Sequence, residues 1–346
     1  MAIRQTRGLV LSAALVFCGE LSFDAVAAQD TPAAATPARI RAVTANLRGT
    51  PPTGPHAVVI EHDQTLATHT VYRPATLGPA RYPVLVWGEG GCAKDGLMFP
   101  EFLNEIASHG FVVIADGPPV GRSGPGGGAA PGPRGGGAAA PAGAAAAPGA
   151  RAGGAPPPGA GRQGGGGAPR VMTDGTALVA AIDWISREAS DPGSRFYQKV
   201  DATRVAAMGM SCGGLMSYGA SADPRIATVG IWNSGLIQPD AKIFAALHSP
   251  VIIVTGGESD IAYANGKRDF ETLPAKIPVF YGVHPSVGHG GTYNEDNGGA
   301  FGVAAVAWLK WQLLNDTGAT GKGYFVGAGC GICGDAKWQT SSRGLQ

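Results

Sequence analysis

Charge is scarce in this sequence and has no preferred sign: 26 Lys and Arg stand against 25 Asp and Glu, scattered through 346 residues. Nucleic-acid binders present a basic stripe with interleaved aromatics, and nothing of the kind is present, so the partner expected is a small or neutral substrate. Long apolar runs are lacking as well. The N-terminal run from Gly8 to Cys18 has 11 residues, whereas a helix needs about 20 to cross the hydrocarbon of a bilayer, so no stable membrane insertion is expected. The Gly-rich stretch Gly88-Glu89-Gly90-Gly91-Cys92 carries neither the dinucleotide fingerprint nor the Lys-Ser/Thr ending of a phosphate loop. Cysteines are few, and Cys330-Gly331-Ile332-Cys333 has no second ligand pair at metal spacing. No cofactor is expected.

Two segments stand apart from the rest. Arg4 and Arg7 precede the apolar run, and Val26-Ala27-Ala28 follows it with small residues at the last and third-last positions. That pattern predicts a signal peptide over residues 1–28 and an exported protein, periplasmic or extracellular. Between Gly121 and Pro169, 43 of 49 residues are Gly, Ala or Pro; such a tract has too few apolar side chains to offset ordering entropy and is expected to be a disordered insertion. With residues 29–54 read as an N-terminal linker, 55–346 forms one domain around that insertion, and a monomer is expected.

Strand-like and helix-like patterns alternate along this domain. Tyr82 to Trp87 and Phe111 to Ala115 are apolar runs, with Phe99 to Ser108 helical between them. Leu178, Ala181, Ile182 and Ile185 recur at helical spacing, and Arg204 to Met208, Ile226 to Trp232, Val251 to Thr255 and Ile277 to Tyr281 read as buried strands before a closing helix from Gly302 to Asn315. The alternation predicts an α/β class with a mostly parallel central sheet and helices on both faces. Active sites in such sheets gather at the carboxyl ends of the strands.

At one of those ends the chain reads Gly209-Met210-Ser211-Cys212-Gly213-Gly214, followed by helical Leu215 to Ala220. Glycine two before and two after a serine, between a strand and a helix, is the pattern of a nucleophile elbow, whose turn is too tight for side chains at those positions. A serine hydroxyl needs a base to take its proton, and in this arrangement the acid and then the histidine follow in chain order. Of His248, His284 and His289, the last is flanked by glycines on a loop before the final helix and is the expected base. The acid is expected just past Val251 to Thr255, where Asp260 is preferred to Glu258 and to the deeper Asp269. Oxyanion donors are expected from the amide of Cys212 and from that of Glu89 or Gly90. Cys92 and Cys212 flank these two loops, so a disulfide between them is expected, leaving Cys330 and Cys333 to close on each other, with free thiols as the alternative.

From about residue 55 to 316 the chain resembles the dienelactone-hydrolase-like and cutinase-like branch of the α/β hydrolases, which includes secreted polyester hydrolases. The resemblance lies in Ala107-Ser108-His109-Gly110-Phe111-Val112-Val113-Ile114, Lys199-Val200-Asp201, the elbow at Ser211, and Val306-Ala307-Trp308-Leu309-Lys310. It implies an α/β-hydrolase fold and triad roles for Ser211, Asp260 and His289. It further implies an oxyanion hole from the amides of Glu89 and Cys212, a substrate-subsite position for Trp232, and a small-molecule or polymeric ester as substrate. The chain departs from that family where Glu89-Gly90-Gly91 replaces an aromatic residue and where Cys212, not Met, follows the serine. Carboxylic ester hydrolysis is therefore the first functional expectation. Hydrolysis of lactones or other acyl groups on the same residues, and a non-catalytic binding module, are the alternatives.

Overall fold

The computed structural model of the chain describes residues 39–120 and 174–345; the leader expected at 1–28 and the insertion expected at 121–169 lie outside the described residues. Ten strands among the described residues form one sheet. They are β1 (Ile40–Val43), β2 (Val58–Asp63), β3 (His69–Pro74), β4 (Tyr82–Gly88), β5 (Val112–Asp116), β6 (Val200–Met210), β7 (Ile226–Trp232), β8 (Val251–Thr255), β9 (Val279–Val283) and β10 (Gln339–Arg343). Their spatial order is β1-β2-β3-β5-β4-β6-β7-β8-β9-β10. From β5 to β9 in that order the pairings are parallel; β1, β2 and β3 join one side, and β10 the other, through antiparallel pairings.

Successive strand residues point to opposite faces, and the apolar residues of the parallel strands feed two cores accordingly. Val84, Val86, Val205, Ala207, Val251 and Ile253 pack on one face with α2 (Thr176–Ser190) and α3 (Cys212–Ala220). Leu85, Trp87, Ala206, Met208, Ile252 and Val254 pack on the other with α1 (Pro100–Ser108) and α6 (Gly299–Leu314). Two further helices, α4 (Ala241–Ala246) and α5 (Tyr263–Thr272), follow β7 and β8. Helix α1 begins with Pro100, whose fixed φ suits the first helical position and whose missing N–H has no intrahelical role there. No helix among the described residues is long and apolar enough to cross a membrane.

The sequence expectations need correction at the edges of the sheet. The stretch read as a linker contains β1, paired with β2 from Ile40↔Asp63 to Val43↔Ile60, and its Arg39 reaches Asp63 at 3.1 Å and Glu188 at 2.5 Å. A four-residue edge strand containing an arginine offers no apolar run to detect. Strands β2, β3 and β10 escaped for the same reason, since they mix charged and polar residues into the ladder. The strand expected at Arg204–Met208 extends over Val200–Met210, and the closing helix starts at Gly299.

Candidate active site

Strand β6 ends at Met210, and Ser211 turns the chain into α3 with φ 54° and ψ −113°. A non-glycine residue at positive φ is strained and persists only where its surroundings over-determine it. Here the Ser211 amide donates to the Trp232 carbonyl at 2.8 Å, and the Ser234 hydroxyl donates to the Ser211 carbonyl at 2.6 Å. Glycine makes the turn possible. A Cβ on Gly213 would lie 1.9 Å from the Gly88 carbonyl oxygen, and one on Gly209 would lie 2.4 Å from Gly213 backbone atoms. The ends of β4 and β6 and the start of α3 therefore meet backbone to backbone.

The Ser211 hydroxyl oxygen lies 3.0 Å from Nε2 of His289, and Nδ1 of the same ring lies 2.6 Å from Oδ1 of Asp260. His289 comes from the short helical turn Gly288–Gly290 after β9, and Asp260 from the loop after β8. The two loops are pressed together, because Gly288 N donates to the Gly256 carbonyl at 3.0 Å and a Cβ on Gly256 would overlap Gly288. The Asp260 side chain is fully buried while His289 is about a quarter exposed. Burial opposes the charge on Asp260, but bonds from His289, from the Gly256 and Ala262 amides and from Asn233 outweigh it and hold the carboxyl below its ordinary range. A carboxylate facing Nδ1 makes that nitrogen the proton donor. In the neutral ring this leaves the Nε2 lone pair facing the serine hydroxyl, the arrangement in which imidazole can accept a proton from it.

The other histidines and carboxylates considered from the sequence fall elsewhere. His284 is buried, its ring edge-on to Trp338 at 5.1 Å, and its Nδ1 faces Ser286 at 3.2 Å. His248 is exposed. Glu258 is exposed too, and Asp269 accepts from the Leu236 amide at 2.6 Å, away from His289.

Ser211 and His289 open onto a cleft of about 260 Å³, whose wall includes Gly91, Cys92, Leu215, Asn233, Ile237 and Ile261. A larger groove of about 680 Å³, lined in part by Arg41, Arg48 and Glu101, contains none of these candidate residues. Among the described residues no Lys, Arg, Asp or Glu lines the smaller cleft, while Ile237 and Ile261 stand 51% and 80% exposed beside it. The first-loop residues lining the cleft are Gly91 and Cys92; Glu89 and Gly90 are buried beneath. The Glu89 carboxyl accepts from Trp87 Nε1 at 3.1 Å through one oxygen, and the other has no hydrogen-bond partner among the described residues. Burial, reinforced by the charges of Asp95 and Asp116 and opposed by the Trp87 bond, pushes this carboxyl well above its ordinary range.

Trp232 requires a correction. Expected in a substrate subsite, it is fully buried, with its ring against Phe102 at 5.8 Å and Phe301 at 5.6 Å. The alternation of β7 turns its side chain into the α1–α6 core, and what it offers the site is the carbonyl that receives the Ser211 amide. The four cysteines among the described residues are paired: Cys92 with Cys212, Cα atoms 5.1 Å apart, and Cys330 with Cys333 at 5.3 Å. Two residues absent from the sequence reading lie behind the Asp260 carboxylate, Asn233 in direct contact with it and Tyr293 behind Asn233. The place of Asn233, one residue beyond a strand at the carboxyl edge of the sheet, was the available signal. No protein-family model matches this chain, and neither does any curated protein.

Proposed function

We propose that this chain is an exported serine hydrolase with the α/β-hydrolase fold, cleaving neutral carboxylic esters through an acyl-enzyme. The observation that carries the reading is the continuous contact from Ser211 Oγ to His289 Nε2 at 3.0 Å and from Nδ1 to Asp260 at 2.6 Å, placed at the carboxyl ends of β6 and β8. In this reading Oγ attacks the ester carbonyl while Nε2 takes its proton, and Asp260 stabilises the imidazolium. The oxyanion is met by the amide of Cys212 together with that of Glu89 or Gly90. The imidazolium then protonates the departing alcohol. Water, deprotonated by the same nitrogen, attacks the acyl carbon to release the carboxylic acid and restore Ser211.

The absence of charged side chains among the described residues of the cleft wall supports an uncharged substrate, and Ile237 and Ile261 support an apolar group on at least one side of the ester. Two disulfides support an oxidising compartment. A panel of p-nitrophenyl esters and lactones tests the proposal. Ester turnover that falls about 10⁴-fold or more in Ser211→Ala, with the melting temperature retained, is the expected result. Turnover of the variant within tenfold of the parent refutes it.

A further inference from the structure

Behind Asp260 the hydrogen-bond chain continues inward through two side chains. Asn233 Nδ2 donates to Asp260 Oδ2 at 2.7 Å and to the Gly288 carbonyl at 3.0 Å. The Tyr293 hydroxyl donates to Asn233 Oδ1 at 2.6 Å. Both residues are fully buried. Tyr293 is enclosed by Phe99, Phe102 and Phe301, with ring centroids 4.7 to 5.4 Å away. Asn233 has φ 42°, a conformation that asparagine tolerates better than most residues, and its own amide is fixed to the Val254 carbonyl at 2.7 Å.

The chemistry of these contacts leaves little freedom. Asp260 Oδ2 and the Gly288 carbonyl are acceptors, so both require the NH₂ side of the Asn233 amide, while the Tyr293 hydroxyl needs an acceptor and finds Oδ1. The hydroxyl thereby sets the amide's orientation. The amide in turn divides the Asp260 carboxylate: Oδ2 takes Asn233 and the Gly256 amide at 2.9 Å, leaving Oδ1 for His289 and the Ala262 amide at 2.9 Å. The same NH₂ group holds the carbonyl of Gly288, whose peptide bond leads into His289. One side chain at the end of β7 thus ties down both the acid and the loop carrying the base.

We infer that Asn233 and Tyr293 are a positioning pair that sets the Asp260–His289 geometry through hydrogen bonds to the carboxylate and to the loop carrying the base. The inference rests on the serine-hydrolase reading above. Tyr293→Phe removes one hydroxyl and keeps the ring; Asn233→Gly removes the side chain while tolerating the positive φ. Bonds in a network centred on a carboxylate are stronger than neutral ones. Tyr293→Phe is therefore expected to lower kcat on a p-nitrophenyl ester about tenfold and Asn233→Gly about a hundredfold, with KM within about twofold in both. The far-downfield proton NMR resonance of the His289 Nδ1–H is expected to shift in both variants, which a merely structural contribution would not produce.

Wild-type kcat in Tyr293→Phe overturns the inference, and so does a fall in kcat with an unmoved Nδ1–H resonance. If Asn233→Gly does not fold, Tyr293→Phe carries the test alone. Failure of the underlying reading is distinguishable, because the parent protein would then hydrolyse no ester in the panel, or its hydrolysis would survive Ser211→Ala.

Discussion

Removing the Cys92–Cys212 bridge separates what it does for stability from what it does for the site. The bridge closes a loop of 120 residues in sequence separation. On the chain-entropy model a loop of that length is stabilised by about 5 kcal/mol, a large part of the roughly 5–15 kcal/mol that holds an ordinary domain together. At about 2–4 °C per kcal/mol for a large domain, Cys92→Ala should melt roughly 10–20 °C lower. The local effect is different in kind. Cys92 sits at φ 51°, directly after Gly91 at φ 62°, and both line the cleft beside Ser211. The covalent tie to the first residue of α3 holds this strained turn. Without it the turn relaxes, and a loosened oxyanion donor should lower kcat about tenfold, part of the 10² to 10³ that loss of a whole donor costs. The comparison that isolates the local effect is Cys92→Gly, which also lacks the bridge but adopts positive φ without a Cβ penalty. Calorimetry should show a comparable melting loss in the two variants, while initial rates at 25 °C, where both remain folded, should show higher kcat in Cys92→Gly. Wild-type kcat and melting temperature in Cys92→Ala would refute the reasoning.

Three further substitutions test the electrostatics. Asp260→Asn should lower kcat about 10⁴-fold by presenting the wrong group to His289 Nδ1, while the exposed Glu258→Gln should leave kcat within about twofold; the reverse order in a steady-state assay would move the acid assignment. Glu89→Gln should raise stability at neutral pH. An acid whose folded pKa lies above its unfolded value of about 4.3 loses stability as pH rises from that value towards the folded one, at about 1.4 kcal/mol per pH unit. Denaturant titrations between pH 5 and 8 should therefore show a declining contribution in the parent that is absent from the glutamine variant, and identical slopes would contradict the burial of a neutral carboxyl at Glu89.

Which parts of the molecule could be read from the sequence follows from how each is buried. Parallel strands covered on both faces must be apolar throughout, so β4, β5, β7 and β8 appear as runs such as Val251-Ile252-Ile253-Val254. Strand β10, Gln339-Thr340-Ser341-Ser342-Arg343, pairs through its backbone at the edge of the sheet and leaves no such trace. The Ser211 turn was legible because its backbone contacts exclude side chains at Gly209 and Gly213, a constraint that reaches the sequence directly. Trp232 was misplaced because position along a strand fixes the face of a side chain only once the register of the whole sheet is known. Asn233 carried only its place one residue beyond β7 as a signal and Tyr293 none, because their role depends on three loops converging on one carboxylate.

Covalent labelling of Ser211 by a fluorophosphonate tests the central claim most directly, because the reagent reports an activated serine without requiring the natural substrate. The account predicts rapid stoichiometric modification of the parent protein, mapped by mass spectrometry to the peptide containing Gly209 to Gly214. It also predicts no modification of that peptide in Ser211→Ala and labelling slowed roughly 10³-fold or more in His289→Ala. Absence of labelling in folded protein, modification at a different serine, or an undiminished rate in His289→Ala would contradict it.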